Sequence, residues 1–293
     1  MDLVVEQRAP GRDVLERLVR NWTFEPSAIS LRTRLGRTAA LLTGLRPAPS
    51  HLVLKPVVPR RRWSCYFAYL PDGRLTAAHE FTLARLCALD AGLLVICAAP
   101  SPADVPARLF DYADALCWKA LSGYDFSAYS IALREVAERS GHADLLVLND
   151  SVYGPFHDLE ESLAGARWGM TGFTASAMVE NHVQSYAFQV RDVTLEMLHH
   201  LRSIMPRRVA FDRAAHVIAY QETRMARVAS ATMSVGALWF ADKAAGDPSL
   251  EAAIPLVRAG FPFVKRGLFT KARDYVDSAE LRNLLEAHRH PLP

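Results

Sequence analysis

From Trp63 onward the chain alternates short apolar runs with stretches of helical periodicity, and few folds accept that pattern. Strands joined through helices pair in parallel, so the alternation marks βαβ units around a largely parallel sheet. Residues 64–70 read as a strand, Pro71-Asp72-Gly73 as a turn, and 76–90 as a helix with Ala78, Phe81, Leu83, Leu86 and Leu89 inward. Residues 93–97 and 114–118 give two further strands, with a short helix over 102–110 between them. A helix over 127–139 follows. Leu145-Leu146-Val147-Leu148 is then an uninterrupted apolar run suited to a central strand buried on both faces. Farther on, 159–164 read as helix, 168–173 and 185–190 as strands, and 192–225 as mostly helix. The expected class is α/β, a mixed, largely parallel sheet flanked by helices.

At 293 residues, 51% hydrophobic and 22% charged, the chain can bury a sizeable core without disulfides or metals. Cys65, Cys87, Cys97 and Cys117 match no zinc or redox spacing and read as reduced, mostly buried thiols. No basic-then-apolar leader opens the sequence, and its apolar runs fall short of the roughly 20 residues that span a bilayer. The expectation is a cytoplasmic protein.

Charge divides the sequence in two. Residues 1–62 carry twelve Arg/Lys against five Asp/Glu, a net +7, while the whole chain is only +3. This stretch reads as a basic N-terminal arm and linker ahead of one α/β domain over 63–293. Within it lie a helix near 13–21, a basic amphipathic stretch over 31–45, and a Pro-punctuated segment over 47–59 that ends in Arg60-Arg61-Arg62. The arm is either solvated and loosely packed or drawn to an anionic membrane surface on the inner face of the cell membrane. A chain begun near Arg62 is expected to stay soluble. No face of Lys/Arg interleaved with aromatics supports a nucleic-acid partner.

Ligands of open α/β sheets sit beyond the carboxyl ends of the strands. The apolar run at 145–148 stops there on Asn149-Asp150-Ser151, residues that are poor strand formers with oxygens suited to a cation or to hydroxyl groups. An Asx turn is the bland reading of the same tripeptide. Gly154-Pro155 follows and fixes a tight turn. Asp125 enters a helix, where it can act as an N-cap.

The string Leu146-Val-Leu-Asn-Asp-Ser-Val-Tyr-Gly-Pro-Phe156 is preceded by Gly123-Tyr-Asp-Phe126 and followed by Trp168-Gly169 and His182-Val-Gln-Ser-Tyr186. Gly260-Phe-Pro-Phe-Val-Lys265 comes later, with Glu222 and Met225 in the Glu-x-x-Leu position of a helix. In this order the blocks resemble the rhamnan synthesis F family of bacterial glycosyltransferases, over roughly residues 63–270. Gln221 departs from the pattern and shifts the register around Glu222.

The resemblance implies a GT-A-like nucleotide-binding domain. Its activity would be inverting transfer of a sugar, rhamnose from a dTDP donor being the first choice, onto a bacterial cell-envelope polysaccharide or lipopolysaccharide. The partners would be a nucleotide-sugar donor and a glycan acceptor. Asp150, His182 and Glu222 become catalytic candidates, and Tyr124, Asp125, Asn149, Ser151 and Lys265 donor-binding candidates. Asp150 would also be the metal ligand for Mg²⁺ or Mn²⁺. The family type's Asp-x-Asp is reduced here to Asn149-Asp150-Ser151, so metal-independent transfer stays open. His182 reads as a structural histidine, a metal or diphosphate contact, or a proton acceptor beside the acceptor hydroxyl. Lys265 and Arg266 are a late diphosphate clamp or a solvated basic surface. The rival reading is a non-catalytic sugar-binding or scaffolding subunit of a polysaccharide assembly complex.

Overall fold

The apolar runs become the centre of one ten-stranded sheet in a computed structural model that describes residues 12–292. In chain order the first strands are β1 (Leu18–Thr23), β2 (Leu45–Pro47), β3 (His51–Lys55), β4 (Arg62–Tyr69), β5 (Gly92–Ala98), β6 (Ala115–Lys119) and β7 (Ala143–Asn149). Then come β8 (Val152–Tyr153), β9 (Met170–Ser176), β10 (His182–Val183), β11 (Ala187–Val193), β12 (Val209–Phe211), β13 (Val235–Ala241) and β14 (Val264–Lys265). The sheet order is β1-β13-β9-β11-β7-β4-β5-β6-β3, with β10 added to β9. Two short ribbons, β2 with β12 and β8 with β14, lie outside it.

Strands β7, β4, β5 and β6 are mutually parallel, and β9 and β13 are parallel to each other. Between these sets β11 runs antiparallel to both β7 and β9, so six strands end on the same edge. The expected class, a mixed and mostly parallel sheet flanked by helices, is the one adopted. Alternate residues of β5 show why its run is apolar throughout. Leu94 and Ile96 pack with the helix Tyr124–Arg139 through Phe126, Ala132 and Leu133, whereas Leu93 and Val95 pack with Leu83 and Leu86 of the helix Ala77–Cys87. Both faces are covered, so neither can be polar.

The N-terminal stretch is not an arm on a domain. The helix expected near 13–21 spans Arg12–Glu16 among the described residues, and from Leu18 the chain extends as β1 along β13, where Trp22 stacks on Phe240 at 4.3 Å. The proline-punctuated segment contributes β2 and β3, and β3 pairs antiparallel with β6. Both edges of the main sheet thus come from within residues 1–62, and β4 itself begins at Arg62. Edge strands tolerate prolines beside them and charges on their open side, which is why they read as linker in the sequence. The expected stretch over 31–45 is the helix Leu31–Gly44, capped by Ser30, whose Oγ accepts from the Thr33 amide at 3.1 Å. The part of the arm before residue 12 lies outside the described residues.

Two further boundaries differ from the sequence reading. The helix expected from 127 starts at Tyr124, because Gly123 takes φ +85° ahead of it, a conformation open to glycine. The expected helical stretch over 192–225 is interrupted by β12, which pairs with β2. Cys65, Cys97 and Cys117 are buried and Cys87 is exposed, all four as free thiols. Burial pushes the Cys97 and Cys117 thiols up to about 12, well away from thiolate chemistry.

Candidate active site

A cleft of about 1030 Å³ opens at the edge where β7 and β9 end. It is lined by Asp150 and Ser151 after β7, Ser176 at the end of β9, His182 at the start of β10, Glu222, and Lys265 on β14. His182 reaches this edge because β10 runs antiparallel to β9 and pairs His182 with Ser176, the last residue of that strand. The stretch expected over 185–190 does run antiparallel, as β11. The closing segment is brought in by the β8–β14 ribbon, in which Lys265 lies opposite Val152. At the seam Gly154 has φ +121°, and a Cβ there would stand 2.3 Å from the Pro262 carbonyl oxygen, so only glycine fits.

Asp150 is largely buried, and its carboxylate is already in use. One oxygen, Oδ2, accepts from the Tyr69 amide at 3.0 Å and lies 3.4 Å from His79 Nε2. Because His79 Nδ1 accepts the Thr76 amide at 3.1 Å, Nε2 carries the proton and donates to Asp150. Arg266 Nη1 stands 3.7 Å from the same oxygen and donates to the Asp150 carbonyl at 2.9 Å. A cation centre would have to share this carboxylate with a guanidinium. No group of three His, Cys, Asp or Glu capable of holding a metal occurs among the described residues. A divalent cation at Asp150 would therefore compete for Oδ2 with the Tyr69 amide, His79 and Arg266.

Asn149 and Asp125 do not line the cleft. Asn149 Nδ2 donates to Tyr129 Oη at 2.8 Å and to Asp125 Oδ2 at 3.2 Å, while its Oδ1 accepts from the Ser151 hydroxyl at 2.5 Å and the Ser151 amide at 3.1 Å. The hydrogen-bonding groups of Asn149 are spent on holding the strand exit. Asp125 sits beneath the cleft, where burial, and then the charge of Glu222, push its carboxyl up to about 6. Tyr124 is exposed on the helix N-terminus and does not line the cleft.

His182 is buried, and its Nδ1 lies 2.8 Å from the Glu180 carbonyl. A carbonyl only accepts, so Nδ1 carries the proton of the neutral ring and Nε2 keeps its lone pair, with no hydrogen-bond partner among the described residues. Glu180 is itself locked. Its carboxylate pairs with Arg37 through one oxygen and with Arg227 Nε at 2.8 Å through the other, out of water. Arg37 also donates to Thr223 Oγ1 at 2.8 Å and to the Ala219 carbonyl at 2.9 Å. One side chain from the helix Leu31–Gly44 thus braces both the loop that carries His182 and the helix that carries Glu222. Sequence reasoning missed this brace, and its one signal was an arginine on the face of a helix whose opposite face is leucine.

Glu222 ends a π-helical turn over Val217–Glu222. The wider turn swings Gln221 into the core and Glu222 into the cleft, where its carboxylate accepts the Ser185 amide at 3.0 Å. Gln221, which departs from the blocks in the sequence, lies within this turn. Facing it, Lys265 Nζ stands 4.1 Å above the Tyr186 ring. Burial pushes its ammonium below the ordinary lysine value, while Glu222, Asp247 and Asp125 pull the other way. Arg266 and Lys271 add two more cations to the same wall.

A model of the rhamnan synthesis protein F family matches residues 93–288. The chain belongs to this family. Among solved structures it is similar to a protein of Desulfovibrio desulfuricans G20 provisionally described as a nucleotide-diphospho-sugar transferase, at 16% identity and a TM-score of 0.38. The similarity covers 77% of this chain and 96% of that one. No curated protein matches. In this rhamnan synthesis protein F member, Asp125, Asp150, His182, Glu222 and Lys265 all fall inside the matched span. Tyr69 and His79, which hold Asp150, and Arg37, which braces the segments carrying His182 and Glu222, precede it.

Proposed function

We propose that this chain is a glycosyltransferase that moves a sugar from a nucleoside-diphosphate donor to a hydroxyl of a glycan acceptor, with inversion. The observation that carries the reading is one cleft holding a cationic wall of Lys265, Arg266 and Lys271 and a histidine with a free Nε2 lone pair. The acceptor oxygen attacks the anomeric carbon, and the bond to the diphosphate oxygen breaks with its electron pair leaving on the diphosphate. Lys265, Arg266 and Lys271 meet that charge in place of a metal; one such electrostatic contact is worth about 10²–10³ in rate. His182 Nε2 takes the acceptor proton, and the imidazolium keeps its Nδ1–H on Glu180. Glu222, fixed by the Ser185 amide, offers a carboxylate to sugar hydroxyls. Rhamnose and a bacterial envelope glycan are the sugar and acceptor that family membership favours.

The engagement of Asp150 by Tyr69, His79 and Arg266 favours one second reading, a subunit that binds the nucleotide sugar without transferring it. Release of nucleoside diphosphate from dTDP-, UDP- and GDP-sugars, with and without a rhamnan acceptor, separates the two. Transfer predicts acceptor-stimulated release that His182→Asn lowers by about 10²–10⁴. Absence of release from every donor contradicts it.

A further inference from the structure

The helix Leu31–Gly44 is built inside out. Its buried positions are Arg37, Ala40 and Gly44, whereas Leu31, Leu35 and Leu42 stand 72%, 62% and 80% exposed. Spacings of four and seven align the three leucines in one stripe, with Thr38 and Ala39 exposed between them. A surface helix packed only on its own fold shows the reverse pattern. Rotation cannot hide the leucines, because Arg37 is anchored by Glu180, Thr223 and the Ala219 carbonyl on the inner side.

The charge beside the stripe has one sign. Arg32 and Arg34 are exposed on the helix, Arg46 follows it exposed, and the helix contains no Asp or Glu. Leucines bordered by guanidinium groups match an anionic lipid surface, where apolar side chains enter the boundary between headgroups and acyl chains and cations meet phosphates. We propose that this helix docks the protein on an anionic bilayer, with Leu31, Leu35 and Leu42 in the interface and Arg32 and Arg34 on the headgroups. The helix adjoins the cleft wall. Two partners of Arg37, Glu180 and Ala219, are chain neighbours of Val179 and Ile218, exposed apolar residues that line the cleft. Docking brings that wall near the bilayer whatever reaction the cleft performs.

Flotation of the full chain with phosphatidylglycerol–phosphatidylcholine vesicles, against phosphatidylcholine alone, tests the docking directly. Wild type is expected to float with the anionic vesicles at 0.01 M salt and less at 1 M, as the Debye length falls from about 30 to 3 Å. Leu31→Asn/Leu35→Asn/Leu42→Asn should weaken partitioning about a hundredfold with an unchanged melting temperature. Arg32→Gln/Arg34→Gln should weaken it tenfold or more, at about fivefold per arginine, and flatten the salt dependence. If the triple variant does not fold, Leu42→Asn alone is expected to lose about fivefold. Equal flotation on neutral vesicles, no flotation at low salt, or leucine variants that float like wild type would overturn the proposal. So would a solution dimer that the leucine substitutions turn into monomers, since a second copy would then cover the stripe.

Discussion

Asp150 looked in the sequence like a carboxylate free for chemistry, and its partners give it a second duty. It accepts the Tyr69 amide and His79 while Arg266 bears on it, so Asp150→Ala leaves two donors without their acceptor and Arg266 without its counter-charge. The substitution should lower stability by about 1–3 kcal/mol as well as activity, measured by urea unfolding. Unchanged stability would show that these contacts are slack. Lys119 presents the opposite case: fully buried at the end of β6, it donates to the Ser122 carbonyl at 2.8 Å. Burial brings its ammonium down to about 8 against the nearby Asp125 and Asp212. The folded state therefore binds its proton less tightly than the unfolded chain, a penalty complete below pH 8 that disappears as pH rises towards the unfolded lysine value. Lys119→Met should be more stable than wild type at pH 7 by about 1–2 kcal/mol, with the gap closing between pH 8 and 10.5. A gap that widens with pH would contradict the assignment.

Among the elements, the helix Leu31–Gly44 matters most to the site, although it lies outside the span that marks the family. Arg37→Met leaves Glu180 buried with only Arg227 to balance it, and removing one partner of a buried ion pair costs about 3–5 kcal/mol. Thermal unfolding should show that loss, and a variant within 0.5 kcal/mol of wild type would mean the brace is slack. The strands of the central sheet were legible in the sequence because β4, β5 and β7 are covered on both faces and are apolar over most of their length. Edge strands were not. β1 and β3 need only one partner and bear Arg20 and Lys55, so their pattern is that of a linker. At the cleft, Asp150, His182, Glu222 and Lys265 could be found from their blocks because each is local in sequence. Arg37, Glu180 and His79 could not, since they act across separations of 143 residues between Arg37 and Glu180, and 71 between His79 and Asp150.

As a whole molecule, the protein does not divide at residue 62. Starting the chain at Trp63 strips β1 from β13 and β3 from β6 and removes Arg37, so two long sheet edges become unpaired. Such a chain should aggregate or fail to give a cooperative melt, and a monomeric, cooperatively folded product would show that the edges are dispensable. The central claim is that the cleft holds a nucleoside diphosphate through its own cations. Titration calorimetry of dTDP, UDP and GDP into the full chain in EDTA tests it most directly. The account predicts that at least one binds without a divalent cation, and that Lys265→Met weakens it about 10–100-fold, as expected for a lost charge-assisted contact. Binding that appears only with Mg²⁺ or Mn²⁺, or that Lys265→Met leaves unchanged, would contradict it.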